Sequence, residues 1–446
     1  MVKIRRRERD TIIQSLRAGV VPQRGLQHIQ VGRVNEIKAL INNIDSVIDG
    51  GAFFKLIIGE YGSGKTFFIQ LIKTVALEKG LVTIHADLSP ERRLQASGGQ
   101  ARNLYSELMK NLSTRTKPDG NGLSSIVERF ITVSRQESDS KGKAVEEVLT
   151  EKLNCLCEYV GGYDFANVIA AYWNGYNTGN DNLKQDAVRW LRAEYSTKTE
   201  AKKNLDVRNI IDDNSFYDHL KLMSLFVKLA GYDGLLVCLD EMVNLYKLSN
   251  TQARSANYEQ ILRILNDCLQ GGAENIGFLL GGTPEFLFDP RKGLYSYEAL
   301  QSRLAENSFA KAQGVIDYNA PALHMTNLSQ EDLYILLGKL RDIFNSGIDS
   351  SIVIPDEALE AFMSHCFNKI GDSYFKTPRN TIKAFLDLMD VLEQNKQLSW
   401  SDMLEQISIT RDCPVDSFSE NDTVETVMQN AMLGDEQTEG WANFKL

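Results

Sequence analysis

Histidine and cysteine are scarce in this chain, at five and six residues in 446. The cysteines stand at 155, 157, 238, 268, 366 and 413, and no two form a C-x-x-C. Cys155 and Cys157 are two apart on a predicted helix and so point to different sides. Neither a zinc site nor a disulfide framework is supported, and the chain reads as cytoplasmic with reduced thiols. Long apolar runs are missing too: none approaches the ~20 residues that a bilayer crossing needs, so no membrane partner is expected. The opening MVKIRRRERD has basic residues with no apolar stretch after them, so no signal peptide is expected.

Positive charge is also in short supply. The formal net charge is −10, which argues against a chain built mainly to coat nucleic acid. The deficit is uneven. From Arg411 to Leu446 eight acids stand against Arg411 and Lys445, a net of −6, which leaves −4 for the rest. The opening holds Lys3, Arg5, Arg6, Arg7 and Arg9. Such an arm can bind a phosphate backbone or an acidic partner; a solvated terminal helix is the plainer reading. With 43% hydrophobic and 24% charged residues the composition is that of a soluble globular protein, and the length suggests two or three domains.

What is present is a phosphate grip. Gly59, Gly64, Lys65 and Thr66 satisfy G-x-x-x-x-G-K-[ST], with Glu60, Tyr61, Gly62 and Ser63 completing the loop and Phe67 following it. The run Phe53 to Ile58 before it reads as a buried strand, and Phe67 to Leu77 carries helical periodicity. Glycines at 59, 62 and 64 let the backbone take positive φ and turn its N–H groups inward as an anion nest. The helix N-terminus adds partial positive charge. In this pattern Lys65 reaches the β- and γ-phosphates and the Thr66 hydroxyl holds Mg²⁺.

Strands alternate with helices beyond the loop, which argues for a parallel sheet and an α/β fold. LVTIHADL (81–88), GLLVCLDE (234–241) and IGFLLGGTPE (276–285) read as strands two to four, and a fifth lies near ALHMTNL. Residues 100–230 are mostly helical, longer by on the order of 100 residues than one crossover requires, and read as an insertion. From Ser329 the pattern is wholly helical. The expected organisation is a basic arm over 1–28, a nucleotide-binding domain over 29–328 carrying the insertion, a helical lid over 329–410 and an acidic tail over 411–446.

LLVCLDE delivers Asp240 and Glu241 to the C-terminal edge of the sheet, where ligands bind in such folds. Asp240 suits the Mg²⁺ shell, and Glu241 suits the polarisation of a water for in-line attack. A kinase has no use for that glutamate; a hydrolase does. Thr283 closes the fourth strand, beside the phosphate site or simply opening a Thr-Pro turn. Arg303 and Arg379 are single arginines on helices, a placement that is usually solvated.

The parts in this order resemble an AAA+ ATPase, with a five-stranded parallel sheet and a C-terminal helical lid. VGRVNEI at 31–37 resembles the base-binding box of the origin-recognition branch. That resemblance implies ATP and Mg²⁺ as cofactors and a homo-oligomer. It implies adenine against Val31, Gly32 and Arg33, Thr283 as a sensor, Arg303 as a finger reaching a neighbouring subunit, and Arg379 as a second sensor in the lid. RWLRAEY, GYDGLLVCLDE, GGTPEFLFD, YEALQSRL and TPRNTIKAFL together resemble the ATP-binding proteins of BREX-type bacterial phage-defence systems, over roughly residues 20–400. DNA and other defence proteins are then the expected partners. Two readings remain: an ATP-hydrolysing motor or loader on DNA, or a nucleotide-gated scaffold that recruits partners with little turnover.

Overall fold

Five short apolar segments lie side by side in the computed structural model, which describes residues 4–346, 354–370, 378–395 and 397–404. They are β1 (Ala52–Ile58), β2 (Val82–Asp87), β3 (Leu235–Asp240), β4 (Ile276–Gly282) and β5 (Ala322–His324), in the order β2-β3-β4-β1-β5 and all parallel. β3 and β4 are buried at every residue, which is why they read as continuous apolar runs rather than as alternating ones. The register aligns the strand ends. Asp87 pairs with Asp240, and Ile58 pairs with both Gly282 and His324, so all five strands finish at one edge. The acidic tail 411–446, Lys3 and Cys413 lie outside the described residues.

The helices that matter for the site are α1 (Arg6–Arg17), α2 (Val34–Ile48), α3 (Lys65–Glu78), α4 (Thr251–Gln270), α5 (Glu298–Leu304), α6 (Gln330–Asn345), α7 (Asp356–Ile370) and α8 (Pro378–Gln394). One face of the sheet, with Phe53, Ile57 and Leu279, packs on Leu40 and Ile44 of α2 and on Phe68 and Ile72 of α3. The opposite face, with Phe54, Leu56 and Leu280, joins a much larger core. Into it go Leu104, Phe130, Phe165, Trp190 and Phe226 from the helical stretch between β2 and β3, together with Ile261 and Leu265 of α4. That stretch therefore shares its apolar interior with the sheet.

A second core is wholly helical. Leu337 and Leu340 of α6, Phe362 of α7 and Phe385 of α8 enclose Ile12 and Ile13 of α1, and Leu71 of α3 enters the same cluster. The N-terminal segment is thus packed down by its apolar stripe, while Arg5, Arg6 and Arg7 stay exposed. A capping box starts α6: Ser329 Oγ accepts from Asp332 N at 3.1 Å, and Asp332 Oδ2 accepts from Ser329 N at 3.2 Å.

Both rims of the sheet are occupied or short. On the outer side of β2, Thr83 N donates to Ser113 O at 3.0 Å and Ser113 N donates back to Thr83 O at 2.8 Å. On the other rim β5 has three residues, and the chain entering it is pinned from below. Lys55, buried in β1, donates from Nζ to Tyr318 O at 2.8 Å and Ala320 O at 2.5 Å. Burial lowers the Lys55 pKa to about 8, against the pull of Asp317.

Ile12 has no exposed surface, so Ile12→Ala should destabilise the protein by ~2–5 kcal/mol through transfer and cavity terms. Arg6→Ala, at an exposed position, should stay within about 0.5 kcal/mol. Denaturant unfolding of both variants checks this; an Ile12→Ala as stable as the wild type would show that α1 is not docked.

Candidate functional site

The loop after β1 owes its shape to its glycines. Gly62 and Gly64 have φ of 79° and 84°, values that other residues rarely adopt. At Gly59 a Cβ would meet Ser63 Oγ at 2.5 Å. Gly64 caps α3, so the first turn of that helix opens directly onto the loop. Lys65 Nζ donates to Gly59 O and Glu60 O, both at 2.8 Å, folding back over the loop. Burial lowers the Lys65 pKa, while Asp240, Glu241 and Glu285 pull the other way. Glu60 and Tyr61 are exposed at the tip, and Phe67 leans from α3 onto the helical core.

Two strands away, the acids of β3 meet this helix. Thr66 Oγ1 donates to Asp240 Oδ2 at 2.7 Å, and Asp240 Oδ1 accepts from Glu241 N at 2.8 Å. β4 runs between β1 and β3, and the contact exists because β4 is bare there. A Cβ at Gly281 would sit 2.3 Å from Asp240 Oδ1 and 2.9 Å from Ile69 Cδ1. Glu241 turns out of the strand at φ 58°, an uncommon conformation for a residue with a Cβ. Partial burial raises its pKa, Asp240 and Asp87 add to the rise, and Lys65 and Lys247 oppose it. Asp87, at the tip of β2, is itself raised by burial and then by Asp240.

Oxygen donors of this kind suit Mg²⁺, which takes one or two carboxylates and completes its shell with water and phosphate. Among the described residues no cluster of three or more His, Cys, Asp or Glu side chains is gathered to hold a metal unaided. The paired strand ends at Asp87 and Asp240 do place two acids side by side with the Thr66 hydroxyl, a donor set that fits such an ion.

The remaining residues singled out by the sequence are spread more widely. Thr283 follows β4 next to the loop, where Gly59 N donates to Gly282 O at 3.2 Å. Its hydroxyl accepts from Phe286 N at 3.4 Å and caps the short helix Pro284–Phe288. Arg303, exposed on α5, donates from Nε to Asn266 Oδ1 of α4 at 2.8 Å and from Nη1 to Ala299 O at 2.9 Å. Arg379, exposed at the start of α8, lies against Gly19, where a Cβ would meet its Nε at 2.7 Å. These contacts bring neither arginine to the loop.

Val31 and Gly32 line a cavity of about 350 Å³ with Gln30, Val34, Ile37, Lys38, Ile335 and Lys339, a largely apolar slot between α2 and α6. Arg33 is not part of that lining. Its Nη2 donates to Ser63 O at 2.8 Å and to Thr326 O at 3.2 Å. Burial lowers the Arg33 pKa, against Glu36 and Asp332. Asp87, Gly281 and Glu285 escaped the sequence reading. The signals available were an acid closing a second strand and a glycine inside a buried one, which marks a close approach.

A family model described as BREX system ATP-binding protein BrxC/D matches residues 4–408. No curated protein matches the chain. No helix among the described residues is long and apolar enough to cross a membrane.

Gly281→Ala should push Asp240 away from Thr66. The expected result is an affinity for ATP that falls about tenfold in the presence of Mg²⁺ and little in its absence, together with a stability loss of ~1–3 kcal/mol for overpacking. Titration with a fluorescent ATP analogue, with and without chelator, checks it; equal losses in both conditions would count against a metal role for Asp240.

Proposed function

Because the chain belongs to the BREX system ATP-binding protein family, with an ATP-binding role in phage defence, we propose that it is a Mg²⁺-dependent ATPase. The observation that carries this reading is the Thr66–Asp240 hydrogen bond across Gly281 with Glu241 beside it. It supports a site in which adenine enters the slot at Val31 and Gly32 and the triphosphate lies along Gly59 to Thr66. Glu60, Tyr61 and Ser63 contribute backbone to the loop, and Phe67 anchors the helix behind it. Thr66 and Asp240 would hold Mg²⁺, which screens the phosphate charge when bound.

Lys65, freed from the carbonyls of Gly59 and Glu60, would swing to the β- and γ-phosphates. Glu241 would take a proton from a water as its oxygen bonds to the γ-phosphorus and the bond to the leaving β-phosphate oxygen breaks. A raised pKa suits this task, since the base holds its proton more firmly than an ordinary carboxylate does. Thr283 would orient the water from the tip of β4. Arg303 would serve the phosphate of a neighbouring copy, and Arg379 would report occupancy to the helices over 329–410.

We further propose that the ATPase is a cytoplasmic homo-oligomer working on DNA with other defence proteins, with the exposed Arg5, Arg6 and Arg7 as one contact to the backbone. A second reading, a nucleotide-gated scaffold with little turnover, is favoured by the engagement of Arg303 with Asn266 and of Arg379 with the Gly19 turn.

Glu241→Gln should bind ATP as the wild type does and lose ~10²-fold or more in turnover. Because the base must be ionised, wild-type turnover should rise with pH through a midpoint above the ordinary glutamate value, and the variant should lack that limb. A pH–rate profile of both proteins checks this; loss of binding in Glu241→Gln would make the residue structural.

Mixing Arg303→Ala with Lys65→Ala should restore turnover that neither has alone, because some interfaces then pair an intact loop with an intact finger. The recovered rate should be read beside a sizing column with ATP and with and without duplex DNA. A mixture that stays inactive although mixed oligomers form would leave the scaffold reading.

A further inference from the structure

Arg33 stands in a strained position for what it does. Gly32 and Arg33 have φ of 60° and 56°, two consecutive left-handed residues at the start of α2. This turn carries the arginine away from the cavity that Val31 and Gly32 line and toward the phosphate loop. One terminal nitrogen makes both of its contacts, at Ser63 O and at Thr326 O. An arginine Nη carries two N–H groups, so each acceptor can take one. Among the described residues the other terminal nitrogen, Nη1, is buried without a hydrogen-bond partner.

The acceptor in the loop matters because of peptide geometry. Ser63 C=O and Gly64 N–H belong to one planar trans peptide and point in opposite directions. A guanidinium that holds the carbonyl on the outside turns the amide toward the inside, where an anion would lie. The second acceptor, Thr326, belongs to the segment between β5 and α6. The same corner receives Asp332 from the first turn of α6, whose Oδ1 would be 2.9 Å from a Cβ at Gly32.

We propose that Arg33 is a positioning residue of the phosphate loop, holding the Ser63–Gly64 peptide so that its N–H faces the triphosphate, and linking the loop through Thr326 to the segment that leads into α6. It touches neither adenine nor phosphate in this role. The proposal rests on the reading that ATP lays its triphosphate along Gly59 to Thr66.

The two can be separated by comparing ATP with adenosine, which fills the base slot and has no phosphates. Arg33→Gln should weaken ATP by roughly tenfold to a hundredfold, the scale of a charge-assisted hydrogen bond, and leave adenosine within about twofold. Arg33→Lys, which keeps the charge on a single donor nitrogen at the end of a shorter, non-planar side chain, should recover part of the ATP affinity. Equal loss of ATP and adenosine in Arg33→Gln would put the side chain at the base, and unchanged ATP affinity would leave it without a role; either result overturns the proposal. A wild type that binds ATP no better than adenosine would remove the nucleotide reading itself, and the Arg33 role with it.

Should the variants fail to fold, hydrogen exchange on the wild type supplies the same test. Inorganic tripolyphosphate should protect the loop amides and residues 325–329 together, and adenosine should protect neither. Protection of the loop with no response at 325–329 would break the link through Thr326.

Discussion

Thr66 lies on the helix behind β1 and Asp240 at the tip of β3, with a whole strand between them. Their hydrogen bond closes because that strand offers only a glycine at the crossing. The site depends on this close approach. It sets the distance between α3 and β3, and with it the position of Lys65 relative to Glu241. It also brings Asp87 up beside Asp240 through the β2–β3 register. Burial and the neighbouring Asp240 raise the Asp87 pKa, and a nearby cation would relieve it.

The parts of this arrangement that are local in sequence were legible in it. The loop from Gly59 to Thr66 is eight consecutive residues leading from a strand into a helix. β3 announces itself as an apolar run ending in two acids. All five strands were placed to within a few residues, with overruns at the end of β5, past His324, and at the end of β4. There the sequence suggests extension to Glu285, whereas Thr283 caps a short helix instead. Contacts set by pairing were not legible. Nothing near Asp87 in sequence says that it will stand opposite Asp240, and Arg33 reaches acceptors 30 and 293 positions away. Lys55 was passed over within an apolar run because its two acceptors come from the approach to β5.

The helical regions divide in the same way. Amphipathic periodicity revealed helices over 100–230 and after Ser329, but not the company they keep. Those between β2 and β3 extend the sheet's own core. Those after Ser329 close around the chain's first helix, with Leu71 of α3 among them. Leu71 lies about two turns behind Lys65, so α3 runs from the Gly59–Thr66 loop directly into that second core.

The rims of the sheet bear on how copies of the chain could meet. An open edge strand is a template on which another strand can grow, in order or in disorder. Here Thr83 has both backbone groups engaged by Ser113, and β5 offers only three residues of ladder. Continuation of one sheet into the next molecule has little backbone to start from. Contacts between copies, where they form, would then fall to side chains and helix surfaces rather than to a shared ladder that only unfolding would undo.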